Sequence, residues 1–259
     1  MIVDLHNHTV LCKHAEGSIE EYVQAAIKNN IAVFGFSDHA PMKFDQKHRM
    51  NFEDMSSYEK SVLDIKEKYK DQIQILLAYE VDFVNGLIDE SVLKSKVDYL
   101  IGSVHFIDKW GFDNPEFIGE YKHRNIDKIW EEYFEAIRLM AKSNLFDIVG
   151  HIDLIKIFNF LPKKEIKLIA HDAIKEIKKS NMVVELNSAG FRKPIQELYP
   201  SMDIFELLAE YDIPITFSSD AHKVEHINYK KEEAMQIARE LGYKKCAIFE
   251  NREIKMVNF

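Results

Sequence analysis

The chain has 259 residues, 46% of them apolar, and a formal net charge of −9. That is enough for one large α/β domain or two small ones with a real core, and the acidic balance, without a Lys/Arg stripe, argues against a nucleic-acid partner. Two isolated cysteines, Cys12 and Cys246, exclude a disulfide framework. No apolar stretch is long enough for a bilayer, and no signal-like segment precedes Asp4-Leu5-His6, so a reducing cytoplasm is the expected compartment.

The first short apolar run, residues 2–5, ends in His6-Asn7-His8. Ser18 and Glu21 then stand at capping-box spacing, and Ile19, Tyr22, Val23, Ala26 and Ile27 share one helical face. Run 32–36 ends in Ser37-Asp38-His39 and is followed by a long connection, 40–57, and a helix at 58–69. Run 73–79 ends in Glu80, and a helix at 89–95 leads to run 97–101, which reaches Gly102-Ser103-Val104-His105. A second long connection, 106–125, precedes the stripe Ile126, Ile129, Trp130, Tyr133, Ile137 and Met140. Run 146–149 ends in Gly150-His151, and Ile166, Ile169, Ala170, Ala173, Ile174 and Ile177 mark the next helix. Run 182–186 carries Glu185-Leu186-Asn187, and a helix follows at 203–211. Run 213–217 ends in Ser218-Ser219-Asp220-Ala221-His222, before a helix at 230–241 and a possible eighth strand at 246–249.

These short β-branched or aromatic runs have the length and character of buried parallel strands. Seven strand-then-helix repeats predict an α/β fold with a parallel sheet. At this length a closed barrel is the leading architecture, and a doubly wound open sheet is the alternative. No linker divides the chain, so residues 1–259 read as a single domain. Both long connections follow strands, which places them on one face of a barrel, where a substrate site is shaped.

Every predicted strand delivers a polar or metal-capable group at its C-terminal end, and in a parallel barrel those ends meet at one mouth. His6 and His8 point the same way because strand side chains alternate with period two. His14, in the loop before the first helix, can fold back over the mouth. The candidate metal ligands are His6, His8, His14, His39, Glu80, His105, His151, Asp220 and His222. So many ionisable groups in one cavity call for cations to offset desolvation and repulsion. One ion takes four to six ligands, so nine groups imply two or three divalent ions, with Glu80 as the natural bridge. Zn, Mn or Fe would suit such donors. The ions leave a positive pocket that fits a small phosphate monoester, and they would acidify a bound water for attack on phosphorus.

Catalytic roles fall to Glu80, Asp220 and His222, with the leaving-group proton coming from Asp220 or a metal-bound water. Arg192, after a strand end, is the first candidate for binding phosphate, because a guanidinium fork fits it bidentately. Lys156 is the second. His48 and His123 lie in the long loops, His171 falls off its helix stripe, and His226 reads as structural or surface. Phe44, Asp45, Phe106 and Asp108 are unranked candidates for contacts to the rest of a substrate.

The motifs His6-Asn7-His8, His14, Ser37-Asp38-His39, Glu80, Gly102-Ser103-Val104-His105, Gly150-His151-Ile152-Asp153 and Ser219-Asp220-Ala221-His222 resemble the PHP (polymerase and histidinol phosphatase) superfamily in order and spacing. The segment from Glu185 to Pro194, with Leu198-Tyr199-Pro200-Ser201 and Ser103-Val104-His105-Phe106-Ile107, looks like its histidinol-phosphatase branch. The resemblance implies a distorted, TIM-like (β/α)7 barrel and three metals. His6, His8, Glu80 and Asp220 would bind the first, His14, His39 and His222 the second, and Glu80, His105 and His151 the third. It also implies hydrolysis of L-histidinol phosphate to L-histidinol and phosphate in histidine biosynthesis, by attack of a hydroxide held between metals. A PHP phosphoesterase of other specificity (protein-tyrosine phosphatase or nuclease-like) and a non-catalytic metal-binding module are the alternatives. The oligomeric state is not readable.

Overall fold

Each of the seven apolar runs becomes a strand, and the metal-capable residues fall in the last residues of each strand or just beyond it. The computed structural model describes residues 1–84 and 87–259. In chain order the strands are β1 (Val3–Asp4), β2 (Val33–His39), β3 (Gln74–Asp82) and β4 (Tyr99–Ser103). A small antiparallel hairpin of β5 (Phe106–Ile107) and β6 (Trp110–Gly111) follows, then β7 (Ile148–Val149), β8 (Val183–Asn187) and β9 (Ile215–Ser218).

Strands β1, β2, β3, β4, β7, β8 and β9 are neighbours in that order, and every pair is parallel. The ring is all but closed: Leu5 N donates to Phe217 O and His8 N to Ala221 O, both at 3.0 Å. The fold is therefore a nearly closed barrel, and the doubly wound alternative falls away. Register places His39 of β2 directly beside Glu80 of β3. Inside, the Tyr99 hydroxyl crosses to donate to the Leu5 carbonyl. Gly35 permits this, because a Cβ there would lie 1.8 Å from that hydroxyl oxygen.

The α-helices are α1 (Ile19–Lys28), α2 (Met55–Tyr69), α3 (Glu90–Leu93), α4 (Ile126–Lys142), α5 (Ile166–Lys179), α6 (Met202–Glu210) and α7 (Lys231–Glu240). The capping box of α1 forms as read: the Ser18 hydroxyl accepts from Glu21 N, and the Glu21 carboxylate accepts from Ser18 N. On α4, Ile129, Trp130, Tyr133, Ile137 and Met140 are buried, which is the apolar stripe facing the sheet. Among the described residues no helix is long and apolar enough to cross a membrane.

The expected eighth strand needs correction. Residues 246–249 do form a strand, β10 (Lys245–Glu250), but it pairs antiparallel with β11 (Glu253–Asn258) and does not join the barrel. The reason is the two-residue turn: Asn251 and Arg252 both adopt positive φ, 51° and 68°, the backbone twist of a tight hairpin. This hairpin crosses the N-terminal ends of the barrel strands. Thr216 Oγ1 donates to Ala247 O at 2.8 Å, Arg252 N to Asp98 O at 2.8 Å, and the Phe249 ring packs 5.4 Å from that of Tyr99.

Candidate metal centre

At the opposite end the strands converge as their sequence implied. The ligand atoms of three sets lie within 4.8 Å of one another: His14, His39 and His222; His6, His8 and Glu80; Glu80, His105 and His151. Asp220 Oδ1 joins them at 3.2 Å from His8 Nε2 and 3.4 Å from His222 Nδ1. All nine predicted ligands thus share one mouth. Asp220 reaches it from a left-handed backbone conformation, φ 49°, which an aspartate tolerates better than most residues.

Most of the rings are held by one nitrogen and present the other. His6 Nδ1 donates to Glu185 at 2.9 Å, and His105 Nδ1 to Asp82 at 2.7 Å. His14 Nδ1 lies 2.8 Å from the Cys12 carbonyl, and His222 Nδ1 3.1 Å from that of Asp220. His8 Nδ1 faces Asp38 at 3.4 Å. Outer partners of this kind fix ring orientation and leave the second nitrogen for a cation. The inward atoms His6 Nε2, His8 Nε2, His39 Nδ1, His222 Nε2 and Glu80 Oε2 are buried without a hydrogen-bond partner among the described residues. His39 Nδ1 lies 2.8 Å from Glu80 Oε2 yet is not aligned to bond with it. Within the cluster His151 Nε2 bonds Glu80 Oε1 at 3.0 Å. Buried polar atoms normally find partners, so the five atoms that face a common space without bonding one another fit divalent ions.

The electrostatics divide the rings. Burial disfavours a charged His6, His8 or His105, but the neighbouring carboxylates outweigh it and raise all three, His105 to about 10. The His14, His39 and His222 rings go the other way. Desolvation leads, neighbouring imidazoles add to it, and His14 falls to about 4. That trio is therefore neutral and already in the form a metal takes. Burial also opposes ionisation of Glu80 and Asp220, but the surrounding histidines hold both carboxyls well below the usual range.

A cavity of about 540 Å³ opens over this cluster. Arg192 lines it; its Nη2 donates to the carbonyls of Ser219 (2.8 Å) and Asp220 (3.1 Å), and its Nη1 is buried without a partner among the described residues. Lys156, the second phosphate candidate, is a correction: it does not line the cavity. A short helical turn brings Asp153 to 3.1 Å of its Nζ, which also pairs with Glu197 at 3.1 Å and donates to Leu198 O at 2.8 Å. Its charge is used in holding the 197–199 segment.

Of the loop candidates, Asp45, His48 and Phe106 line the cavity, whereas Phe44 packs edge-on against Phe106, and Asp108 and His123 are elsewhere. His226, read as structural or surface, also lines it, and its Nδ1 accepts from His222 N at 3.4 Å. His171 contacts Tyr211 on the outer surface. Sequence reasoning missed several residues here. Arg49 lines the cavity and pairs with Asp82 at 2.7 Å, and Asp113 lines it too. Cys12 falls within 4.8 Å of the His8 and His222 ligand atoms. Glu185 and Asp82 had a legible signal: each sits two residues along its strand from a site residue (Asn187, Glu80), and so on the same face.

A nearly closed parallel barrel with a histidine- and carboxylate-rich mouth defines a metal-binding hydrolase of the α/β-barrel class. Comparison narrows the class: the PHP domain profile matches residues 4–189. A relative from Deinococcus radiodurans described as a probable histidinol-phosphatase is 34% identical over 93% of this chain and 94% of its own. The histidinol-phosphatase of Bacillus subtilis is 24% identical over 88% of this chain and 96% of its own. The histidinol phosphate phosphatase of Lactococcus lactis, crystallised with zinc, L-histidinol and phosphate, superposes with a TM-score of 0.81 over 98% of both chains at 19% identity, a likeness of fold. The chain belongs to the PHP domain family.

Proposed function

We propose that this chain hydrolyses phosphate monoesters and that its substrate is L-histidinol phosphate, released as L-histidinol and inorganic phosphate. The observation that carries the reading is that Arg192 Nη1, without a partner among the described residues, shares a cavity with inward-facing imidazole and carboxylate atoms that also have none among them. In support stand the Deinococcus and Bacillus relatives, and the Lactococcus protein with its zinc, L-histidinol and phosphate.

In this reading His6, His8, Glu80 and Asp220 hold one divalent ion, His14, His39 and His222 a second, and Glu80, His105 and His151 a third, with Zn, Mn or Fe suited to the donors. When bound, such ions neutralise charge on the phosphoryl oxygens and acidify water for in-line attack. The chain's own residues do the rest. Arg192 receives a phosphoryl oxygen at Nη1, and its Nη2 contacts to Ser219 and Asp220 carry that anchor on the metal-binding loop itself. Asn187 Nδ2 lies 3.3 Å from Asp220 Oδ2, leaving Oδ1 toward the histidines. Glu185 and Asp82 hold His6 and His105, and Asp38 stands 3.4 Å from His8 Nδ1, so the donors do not need to reorganise as charge develops.

The test is phosphate release from a panel (L-histidinol phosphate, p-nitrophenyl phosphate, a phosphotyrosine peptide and a DNA oligonucleotide), with metal analysis of the same sample. A metal-loaded protein that prefers L-histidinol phosphate supports the reading. One that cleaves only the peptide or the oligonucleotide overturns it.

A further inference from the structure

Four carboxylates line the cavity: Asp45, Glu80, Asp113 and Asp220. Glu80 and Asp220 face the histidines. Asp45 is occupied, because it accepts from His48 Nδ1 at 2.9 Å and from Arg49 Nη2 at 3.2 Å. Asp113 alone of the four has no hydrogen-bond or ion-pair partner among the described residues, although it is only partly exposed.

Asp113 lies just after the β5–β6 hairpin and before the turn that starts at Pro115, in the long connection following β4. Phe106 and Phe117 of the same connection line the cavity with it. Arg192 comes from the connection after β8, and only β7 separates β8 from β4 in the barrel. The cavity thus holds a guanidinium suited to an anion and, from a separate loop, a carboxylate suited to a cation. Leaving a partly desolvated carboxylate unpaired is unfavourable, and a ligand cation would relieve it.

We infer that Asp113 is a specificity-determining residue: its carboxylate receives the protonated amine of the substrate while Arg192 receives the phosphate. The site therefore selects phosphate monoesters that carry a nearby cationic nitrogen over neutral ones. This rests on the phosphomonoesterase reading above and names the feature by which that site chooses its substrate.

The experiment compares kcat/KM for L-histidinol phosphate, phosphoethanolamine and p-nitrophenyl phosphate in the metal-loaded wild type and in Asp113→Asn. The readout is the ratio of the cationic esters to p-nitrophenyl phosphate, so a partly inactive preparation cancels. A charge-assisted contact of this kind predicts that the wild-type preference falls roughly 10- to 100-fold in the variant. An unchanged ratio with L-histidinol phosphate still preferred overturns the role of Asp113 and leaves the function standing. A preference for phosphoethanolamine that the variant loses supports Asp113 and overturns L-histidinol phosphate as the substrate. A wild type with no preference for either cationic ester overturns both.

Discussion

The two ends of the barrel bury charge in opposite ways. At the N-terminal end, Arg252 of the hairpin turn donates to Asp147 and to the Leu145 carbonyl, both at 2.7 Å. Asp147 also accepts from Leu100 N at 2.8 Å, and Asp98 from Leu77 N at 2.9 Å. At the C-terminal end, His6 Nε2, His8 Nε2, His39 Nδ1, His222 Nε2 and Glu80 Oε2 face one another without a hydrogen-bond partner among the described residues. One end is complete as folded, and the other is completed by something added. The difference separates the part of the molecule that maintains the barrel from the part that performs chemistry.

That contrast can be broken most severely at its centre. Glu80→Gln removes the carboxylate shared between two ligand sets, and phosphate release should fall roughly 10³-fold, a loss of about 4 kcal/mol in transition-state stabilisation. Parallel loss of bound metal, read by elemental analysis, distinguishes this from a purely catalytic defect. Arg192→Ala should raise KM for a phosphomonoester by roughly 10- to 100-fold with metal content retained, and unchanged kinetics would remove it from the site. Glu185→Gln, which weakens the support of His6 Nδ1 and His151 N, should lower metal affinity by roughly 10- to 100-fold in a competition with a chromogenic chelator.

The other end should answer differently. Arg252→Ala should cost about 1–3 kcal/mol of stability, seen as a lower Tm, because it strips Asp147 and the Leu145 carbonyl of a partner. Its kcat and KM should match the wild type, and a kinetic defect would show that the two ends are not separable. The smallest effect concerns acid. Burial opposes ionisation of Asp82, but Arg49 and His105 outweigh it and hold its carboxyl well below the usual carboxylate range. A depressed carboxylate stabilises the fold above its unfolded value, near 3.9, and that contribution is lost as pH falls below it. In metal-free protein the urea-midpoint gap between wild type and Asp82→Asn should therefore shrink from pH 6 to pH 3. A constant gap would rule out the linkage.

The mouth was legible in the sequence because it is built where strands end, and a strand end is marked by the residue after an apolar run. His39 and Glu80 needed no long-range knowledge, since parallel register sets them side by side. Contacts made across the fold were not legible in this way. Lys156 reads as a free cation until a one-turn helix puts Asp153 beside it and Glu197 opposite. The eighth run reads as another barrel strand because its turn, Asn251-Arg252, lacks the glycine that flags a hairpin. Asp113 carries no motif at all; what sets it apart is that Asp45 has partners and it has none among the described residues.

Metal stoichiometry on the intact chain tests the account most directly. Purified protein, stripped and then titrated with Zn, Mn or Fe(II) under elemental analysis, should take up two to three ions per chain, and paired His8→Ala and His222→Ala substitutions should lower that number. Uptake of less than one ion per chain, or uptake indifferent to those substitutions, would mean that the buried imidazoles and carboxylates are not there to bind cations.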